Sequence, residues 1–406
     1  MSNKETELYR LSAVEVVSRI QAGQLTVEQY ARSLLSRIEA RDPVVKAWAY
    51  LNPEYVIKQA KAVDAVAPQD RGPLHGVAVA VKDIIYTKDM PTQFGSSIYQ
   101  GSAPEVDAAS IIILRQAGAL ILGKTTTTEF AATTQGTQTT NPHDPSRTPG
   151  GSSSGSGAAV ADFQAPVGLG TQTGGSTIRP GSFNGIYAIK PTWNAISREG
   201  QKIYSIILDT IGLYARSAAD LDLLADVFAL QDDDPVSQPF RIEGAKFAIC
   251  KTMAWDQVGK GTAAAIEKAK ELLEAQGAQV EHVELPEVLN GFSEWYSAVI
   301  NSEGRTAFLS EYRTSKTKIS SQLIGQVENK SGISRAAQLV AFDKIAAARP
   351  VMDELIGQYA AFIVPSVPDE APLGLESTGS AAFNLLWTVG LPHSIPDSHK
   401  DAKLPY

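Results

Sequence analysis

The sequence predicts an α/β fold, built as a single α/β/α sandwich around a large mixed β-sheet covered by helices. Residues 77–81 and 119–122 are short apolar runs, which are typical of buried strands. The segment between them predicts a helix that Asp107 caps and that runs through Gln116. A strand, a helix and a second strand in this order indicate α/β architecture.

Two helices are predicted to open the chain. Ser12 and Glu15 form the pattern of a capping box, in which each side chain pairs with a free backbone N–H at a helix start, and Gly23 predicts the helix end. Thr26 and Gln29 repeat the start signal. The apolar residues that follow have helical spacing and predict one buried stripe: Val27, Tyr30, Ala31, Leu34, Leu35 and Ile38.

Further strands and helices follow, and the second half of the chain is predicted to be mostly helical. Strands are expected at residues 167–170 and 185–189, and helices at 158–161, within 213–230 with Ser217 as cap, at 262–277, and over most of 285–360. We expect one domain over residues 1–406. It comprises N-terminal helices at 1–65, a core at 70–230, a variable substrate-facing region at 231–360 and a short return to the core at 361–406.

Composition limits the classes of function. The chain has 406 residues, of which 43% are hydrophobic, so it can bury a large core. Its formal net charge is −8, and an acidic chain has no broad attraction for nucleic acid or for an anionic membrane surface. The N-terminus does not resemble a signal peptide, and the apolar runs are too short to cross a bilayer. With Cys250 as the single cysteine, we expect a cytoplasmic protein without nucleic-acid or membrane partners.

A lysine stands at the end of the first predicted strand. Lys82 directly follows the apolar run at residues 77–81, and burying a charged ammonium there is costly. The position indicates a functional lysine or one of two structural alternatives. These are a lysine whose stem covers apolar surface while its head reaches water, and a buried ion pair with Asp83.

Two segments rich in glycine and serine are also unusual. Residues 149–157 read Pro-Gly-Gly-Ser-Ser-Ser-Gly-Ser-Gly, which is also typical of a flexible linker and does not match a phosphate-binding Walker loop. Residues 170–180 place two glycines directly before Ser176, where the backbone can turn sharply and expose N–H groups for an oxyanion hole. An ordinary tight turn is the alternative for this segment.

Together, the three segments resemble the signature of the amidase-signature family. That family pairs a lysine at a strand end with a Gly-Gly-Ser-Ser loop and a Gly-Gly-Ser nucleophile loop. Ser152 and Ser176 lie 24 positions apart (176 − 152), as in the family, and the flanking motifs at residues 76–83, 123–125 and 141–149 also match. The resemblance covers roughly residues 10–230 and implies the amidase-signature fold.

The resemblance implies roles for residues of this chain. Ser176 is implied to be the nucleophile, and Ser152, preceded by a cis peptide bond, to bridge Ser176 and Lys82. The backbone N–H groups of four residues are implied to form the oxyanion hole: Thr173, Gly174, Gly175 and Ser176. Further residues are implied to support the site, namely Ser153 and Arg179, and two more are expected to contact the substrate, namely Ala131 and Thr133.

The chemistry of a serine nucleophile accounts for these residue types. A serine hydroxyl is weakly nucleophilic and needs a base, and none of the histidines stands in a motif suited to that role: His75, His143, His282, His393 and His399. A lysine can serve if it is neutral, and desolvation lowers the pKa of a buried lysine. Neutral Lys82 would take a proton from Ser152, which takes one from Ser176. No metal or organic cofactor is implied.

The sequence departs from the family pattern at three places. Gln172 stands where many members have Asp, which puts any salt bridge of that Asp in question, and Arg179 follows Ser176 by three positions rather than two. Family members continue past a Gly-Leu-Pro segment into another strand and a final helix. Here that segment is residues 390–392 and the sequence stops at residue 406, so we expect either that a sheet strand and its covering helix are missing or that the sequence is incomplete.

The leading functional hypothesis is a hydrolase that cleaves acyl C–N bonds of small amides through an acyl-enzyme on Ser176. Carbamates and esters are further candidate substrates, because the mechanism only requires an acyl carbon with a leaving group. Aromatic residues between 290 and 312 are expected either to line a hydrophobic pocket or to form ordinary helix core.

Three alternatives and one assembly state stay open. The chain could be the amidase subunit of a tRNA-dependent amidotransferase, which would need a partner subunit. It could instead be a non-catalytic binding protein on the same fold, although Lys82, Ser152 and Ser176 are all present. A nucleotide-binding module is the third alternative and depends on the Gly/Ser loop alone. The chain could also form a homodimer.

Overall fold

Two β-sheets organise the part of the chain that the structure describes. The structure is a computed structural model, and it describes residues 4–230 and 240–389. One sheet has six strands in the order β1-β3-β2-β4-β6-β5 and is mixed, and the other has three parallel strands in the order β8-β7-β9. The predicted α/β fold with a mixed sheet covered by helices is confirmed, and the separate three-stranded sheet is an addition to it.

The strands are short, and the helices are longest in the second half of the chain. The strands are β1 Trp48–Tyr50, β2 Ala78–Lys82, β3 Leu120–Thr125, β4 Val167–Gln172, β5 Tyr187–Ile189, β6 Thr210–Ala215, β7 Lys246–Lys251, β8 Gln279–Glu284 and β9 Ala361–Ile363. The helices are α1 Ala13–Gln21, α2 Val27–Val45, α3 Pro53–Asp64, α4 Ala109–Gln116, α5 Ser154–Ala161, α6 Ile178–Phe183, α7 Ala218–Val227, α8 Lys260–Glu274, α9 Phe292–Ala307, α10 Leu309–Ser315, α11 Ser321–Val327, α12 Arg335–Ile356 and α13 Leu385–Thr388.

The centre of the large sheet carries the ends of the motif segments. Strand β2 is buried at all five positions and pairs in parallel with β3 on one side and β4 on the other. Because β2 and β4 are parallel neighbours, their carboxyl ends meet at the same edge of the sheet. Lys82 ends β2 and Gln172 ends β4, so the sheet brings Lys82 close to the loop that contains Ser176.

The local signals at the N-terminus are confirmed. Both predicted capping boxes are present, Ser12 with Glu15 at α1 and Thr26 with Gln29 at α2. The apolar stripe of α2 is buried, apart from Leu35, which is half-buried against the same core. These short-range patterns depend on neighbours a few residues apart, which is why the sequence alone predicts them well.

Two local predictions need correction. Helix α4 begins at Ala109, and its cap is Ala108 rather than Asp107. The Asp107 carboxylate is already engaged, because it accepts a hydrogen bond from the Lys88 backbone N–H (2.9 Å) and pairs with the Arg115 guanidinium (3.2 Å). Ser217 does cap α7, but the pattern before it, at residues 213–215, belongs to strand β6, whose ladder with β4 buries every residue.

The Gly/Ser-rich segment is part of the core rather than a linker. Residues 148–161 are all buried, and the second half of this segment forms α5. At Gly155 an added Cβ would lie 2.2 Å from the Ala47 carbonyl oxygen, so only glycine fits this close approach. The linker alternative for residues 149–157 is therefore excluded.

Two observations concern the wider classification. No helix in the described ranges is long and apolar enough to cross a membrane. The same ranges contain no group of three or more His, Cys, Asp or Glu side chains placed to hold a metal ion. The prediction about residues 390–392 and the strand after them lies outside the described residues.

A second lysine is buried beside the first. Lys124 on β3 is fully buried, with its Nζ 3.6 Å from the Asp83 carboxylate and in hydrogen bonds with the Ile85 carbonyl (2.7 Å) and the Thr92 hydroxyl (2.6 Å). Desolvation lowers the pKa of Lys124 to about 8 and raises that of Asp83 to about 6, while their mutual attraction opposes both shifts.

This pair predicts a specific loss of stability. Lys124→Met should lower the free energy of unfolding by about 3–5 kcal/mol, because it leaves the Asp83 carboxylate buried without a cation. Denaturant unfolding measures the change, and Lys124→Met with Asp83→Asn should recover part of it. Glu28→Gln, which breaks an exposed ion pair with Arg32, is the control and should have little effect. A single Lys124→Met variant as stable as the parent would contradict the assignment.

Candidate active site

The structure brings the three motif segments together around Lys82. The Lys82 Nζ lies 2.7 Å from the Ser152 hydroxyl and 2.7 Å from the Thr171 hydroxyl, and the lysine is fully buried. Thr171 is on β4, two residues before the loop that leads to Ser176. Lys82 therefore connects the Gly/Ser-rich loop with the strand that precedes the second motif.

The Lys82 ammonium has hydroxyl partners but no carboxylate in contact. Among residues 4–230 and 240–389 it forms no ion pair, and Asp83 pairs with Lys124 instead. Desolvation therefore holds the pKa of Lys82 well below its ordinary value. The buried Asp209 acts against this shift and the positive charge of Arg179 adds to it, but both effects are smaller than that of burial. The arrangement favours a neutral amine.

The loop that holds Ser152 is fixed by hydrogen bonds to its backbone. The Gly151–Ser152 peptide bond is cis, as the family resemblance implies. The Arg179 guanidinium donates to the Gly151 carbonyl (2.6 Å) and to the Gly379 carbonyl (2.9 Å). The Ser153 hydroxyl lies 3.2 Å from both the N–H and the carbonyl of Thr171. Arg179 thus holds the backbone just before Ser152, and Ser153 ties the residue after it to the backbone of β4.

Ser176 stands in the loop between β4 and α6 and is half-buried. Its carbonyl accepts hydrogen bonds from the Tyr214 hydroxyl (3.2 Å) and from the Ser153 N–H (3.4 Å), so its backbone is tied to the Ser152 loop. The hydrogen bonds among the described residues do not include one from the Ser176 hydroxyl. In this conformation the Lys82–Ser152 link is formed, whereas the Ser152–Ser176 link is not closed. Catalytic hydrogen bonds are often long before substrate binds.

The four backbone N–H groups predicted for an oxyanion hole are free of partners in the described part of the chain. No acceptor there binds the N–H groups of residues 173–176, although the carbonyls of this segment are engaged. The Tyr296 hydroxyl donates to the Thr173 carbonyl (3.1 Å), and the Arg179 N–H donates to the Gly175 carbonyl (2.9 Å). In a trans peptide the carbonyl and the N–H point in opposite directions, so these bonds turn the N–H groups of Gly174 and Ser176 the other way.

Both glycines of this loop are required by their surroundings. An added Cβ at Gly174 would lie 2.8 Å from the Tyr296 hydroxyl oxygen. At Gly175 it would lie 2.3 Å from Oδ1 of Asn384, which is itself buried. The loop therefore lies directly against side chains from α9 and from the segment before α13, and a side chain at either position would displace it.

Gln172 stands where many family members have an Asp, and its side chain forms neutral hydrogen bonds instead of a salt bridge. Its side-chain oxygen accepts from the N–H groups of Thr177 (2.9 Å) and Ile178 (3.0 Å) at the start of α6. A carboxylate could accept these bonds too, but only an amide also has N–H groups to donate.

Sequence reasoning missed several residues that shape the site. Asp209 accepts hydrogen bonds from the Thr173 hydroxyl (2.6 Å) and the Tyr204 N–H (2.7 Å), and burial raises its pKa. Tyr296 was included only among the aromatics expected in a pocket or in helix core. Asp209 and Tyr296 are distant from the motifs in sequence, and neither lies in a pattern that marks it. A lone acid after the apolar run at residues 206–208 was the available signal for Asp209.

The two residues predicted to contact substrate lie near the site but differ in setting. Thr133 lines a cavity of about 400 Å³ together with a row of polar residues: Thr126, Thr127, Thr128, Glu129, Gln135 and Gln138. The Thr128 N–H donates to the Ser152 carbonyl (3.3 Å), which joins this segment to the Ser152 loop. Ala131 packs at the margin of the main core. Phe292, Tyr296 and Phe308 all form core, and Tyr296 also reaches the loop at residues 173–177.

Comparison with known proteins gives a family match over most of the chain. A family model described as Amidase matches residues 29–372. The chain is 37% identical over 311 residues to a subunit of the glutamyl-tRNA(Gln) amidotransferase of Acidothermus cellulolyticus, and the match covers 72% of this chain and 62% of that relative. The chain thus spans less than two thirds of the length of this relative.

Solved structures show the same fold. A crystal structure of an amidase superposes with a TM-score of 0.83 at 28% identity, and covers 93% of this chain and 90% of the other. The native peptide amidase of Stenotrophomonas maltophilia superposes with a TM-score of 0.74 at 28% identity, and covers 92% and 88%. With the family model matching most of the sequence, we conclude that the chain belongs to the amidase-signature family.

Proposed function

We propose that this chain hydrolyses acyl C–N bonds with Ser176 as nucleophile and Lys82 as base. The observation that carries the proposal is the fully buried Lys82, whose Nζ has the Ser152 hydroxyl at 2.7 Å and no carboxylate in contact within the described residues. A neutral lysine in this place is a base, whereas a structural lysine would have a carboxylate partner, as Lys124 has in Asp83.

In the proposed reaction, two coupled proton transfers link three side chains. Lys82 accepts the proton of Ser152, Ser152 accepts that of Ser176, and the Ser176 oxygen forms a bond to the acyl carbon. The carbonyl π electrons move onto its oxygen, which becomes the oxyanion. When that intermediate collapses, the C–N bond breaks and the relay returns the proton to the leaving nitrogen. Water then hydrolyses the acyl-enzyme with the same base.

Backbone N–H groups are proposed to stabilise the oxyanion. Those of residues 173–176 have no other acceptor in the described part of the chain, so they are available when negative charge develops. One such donor is typically worth about 3 kcal/mol in the transition state. Arg179 and Ser153 are proposed to hold the Ser152 loop in place, because they bind its backbone and that of Thr171.

Small amides are the first candidate substrates. The cavity that Thr133 lines is bordered mainly by hydroxyl, amide and carboxyl groups. Lys82, Ser152 and Ser176 do not line it, and it adjoins the Ser152 loop through the hydrogen bond from the Thr128 N–H to the Ser152 carbonyl. Such a lining suits a polar substrate better than a long acyl chain. Carbamates and esters remain candidates on mechanism alone.

A second candidate is release of ammonia from glutamine or asparagine for a tRNA-dependent amidotransferase. It is favoured by the Acidothermus relative, which is named as part of a glutamyl-tRNA(Gln) amidotransferase and is 37% identical to this chain. The curated relatives therefore support this candidate better than they support the small-amide, carbamate or ester hypotheses. It would require a partner subunit, which a stand-alone amidase in the form of a homodimer would not.

The charge state of Lys82 predicts the pH dependence of Ser176 reactivity. The rate of Ser176 labelling by a fluorophosphonate should rise with pH as Lys82 loses its proton, and should level off at a pH well below the ordinary lysine pKa of about 10.4. Lys82→Arg should label at the background rate at every pH, because arginine does not give up its proton. A rate that climbs until the ordinary lysine pKa would contradict a desolvated base.

A substrate panel separates the candidates. Ammonia release from benzamide, propionamide, glutamine and asparagine should be measured with the purified full chain, beside phenyl carbamate and ester hydrolysis. Ser176→Ala should lose at least about 1,000-fold in kcat, since the nucleophile is removed. Ser182→Ala removes an exposed hydroxyl bonded to Ser366 and is the matched control, expected to be fully active.

The preferred substrate decides between the two proposals. Turnover of benzamide or propionamide supports a stand-alone amidase, whereas ammonia release restricted to glutamine or asparagine supports the amidotransferase candidate. If folded protein hydrolyses none of the carboxamides, the stand-alone amidase is contradicted.

A further inference from the structure

Residues 173–177 form the loop that carries the proposed oxyanion hole, named the oxyanion loop below. The Gln172 side chain joins this loop to α13, the last described helix. Its oxygen faces the N–H groups of Thr177 and Ile178, at 2.9 and 3.0 Å, and both are donors only. The amide must therefore be oriented with its oxygen towards them and its nitrogen away. That nitrogen donates to the Thr388 hydroxyl oxygen at 2.8 Å.

Thr388 passes this hydrogen bond on to the oxyanion loop. Its side chain is fully buried at the end of α13, and its hydroxyl oxygen lies 2.5 Å from the Gly174 carbonyl oxygen. A threonine hydroxyl has a single hydrogen. Because Gln172 donates to the oxygen, that hydrogen is left for the Gly174 carbonyl, and the direction of the chain is fixed from Gln172 through Thr388 to Gly174.

The held carbonyl belongs to the same peptide unit as a proposed oxyanion donor. In the planar trans peptide between Gly174 and Gly175, the Gly174 carbonyl and the Gly175 N–H point in opposite directions. Holding the carbonyl towards Thr388 therefore turns the Gly175 N–H away from α13. Tyr296 holds the preceding peptide unit in the same manner through the Thr173 carbonyl. This peptide has glycine on both sides, which gives it unusual freedom to rotate if it is not held.

We propose that Thr388 is a positioning residue for the oxyanion hole, and that the Gln172 amide fixes which way its hydrogen points. The inference rests on the proposed hydrolysis at Ser176. A carboxylate at position 172 would accept the Thr388 hydrogen and so take it from the Gly174 carbonyl. The hydrogen-bond relay from Gln172 through Thr388 to Gly174 therefore needs an amide at 172 and a hydroxyl at 388, which act as a matched pair.

The test measures how fast a fluorophosphonate labels Ser176 in the full chain. Thr388→Val keeps the shape of the side chain and removes the hydroxyl, so labelling should slow by about 10- to 100-fold, part of the value of one oxyanion donor. Thr388→Ser keeps the hydroxyl and should stay within about threefold of the parent. Gln172→Glu should slow labelling as Thr388→Val does. Both changes together should slow it no further, because they break the same relay.

A matched control separates positioning from general stability. Thr140→Val removes another buried hydroxyl that binds a backbone carbonyl, that of Val44 (3.0 Å) in α2, and should label at the parental rate. For an amide that the parent hydrolyses, Thr388→Val should lower kcat and leave KM nearly unchanged, since the donor acts in the transition state. If Thr388→Val does not fold, the Gln172→Glu variant still reports on the relay.

The outcomes decide between the possible failures. Labelling of Thr388→Val at the parental rate would overturn the inference. So would equal slowing in Thr388→Val and Thr388→Ser, because packing rather than the hydroxyl would then matter. If the parent itself is not labelled at Ser176, the proposed hydrolysis fails, and the positioning role fails with it. The first two results leave the nucleophile intact and so differ from the third.

Discussion

Burial of the Lys82 amine is the constraint on which the rest of the site depends. The sheet places this amine among hydroxyl groups, with no carboxylate in contact in the described part of the chain, so the neutral form is favoured. Lys124 on the adjacent strand is equally buried, but Asp83 pairs with it. Of these two neighbouring lysines, Lys82 has the more strongly lowered pKa, because the Asp83 carboxylate offsets part of the desolvation of Lys124.

The proposed oxyanion hole is built by holding carbonyl groups rather than by holding N–H groups. Residues far apart in sequence each bind one carbonyl of the loop before α6: Tyr296 from α9, Thr388 from α13 and the Arg179 N–H from α6 itself. Each bond leaves the N–H of the same peptide unit free on the opposite side. The second half of the chain therefore contributes to the geometry of a loop whose sequence motif lies in the first half.

The sequence alone predicts those features that depend on short-range patterns. Capping boxes, buried strands and the motif segments follow from residues close together in the chain, and the structure has Lys82 beside Ser152 as the motifs imply. The cap of α4 was predicted wrongly because the Asp107 carboxylate binds the Lys88 backbone N–H and the Arg115 guanidinium instead of the N–H groups at the helix start. The contacts of Asp209 and Thr388 with the loop could not be predicted, since only the tertiary fold brings these side chains together. The three-stranded sheet was missed because β8 is largely exposed and β9 has only three residues.

The central claim is that a desolvated Lys82 activates Ser176 through Ser152. The most direct measurement is the intact mass of the full chain after reaction with a fluorophosphonate, followed by mapping of the modified peptide. The account predicts one adduct, on Ser176, in the parent protein, and no adduct in folded Lys82→Ala or Ser152→Ala. An adduct that forms at the parental rate in folded Lys82→Ala would contradict it, because Ser176 would then be reactive without the lysine.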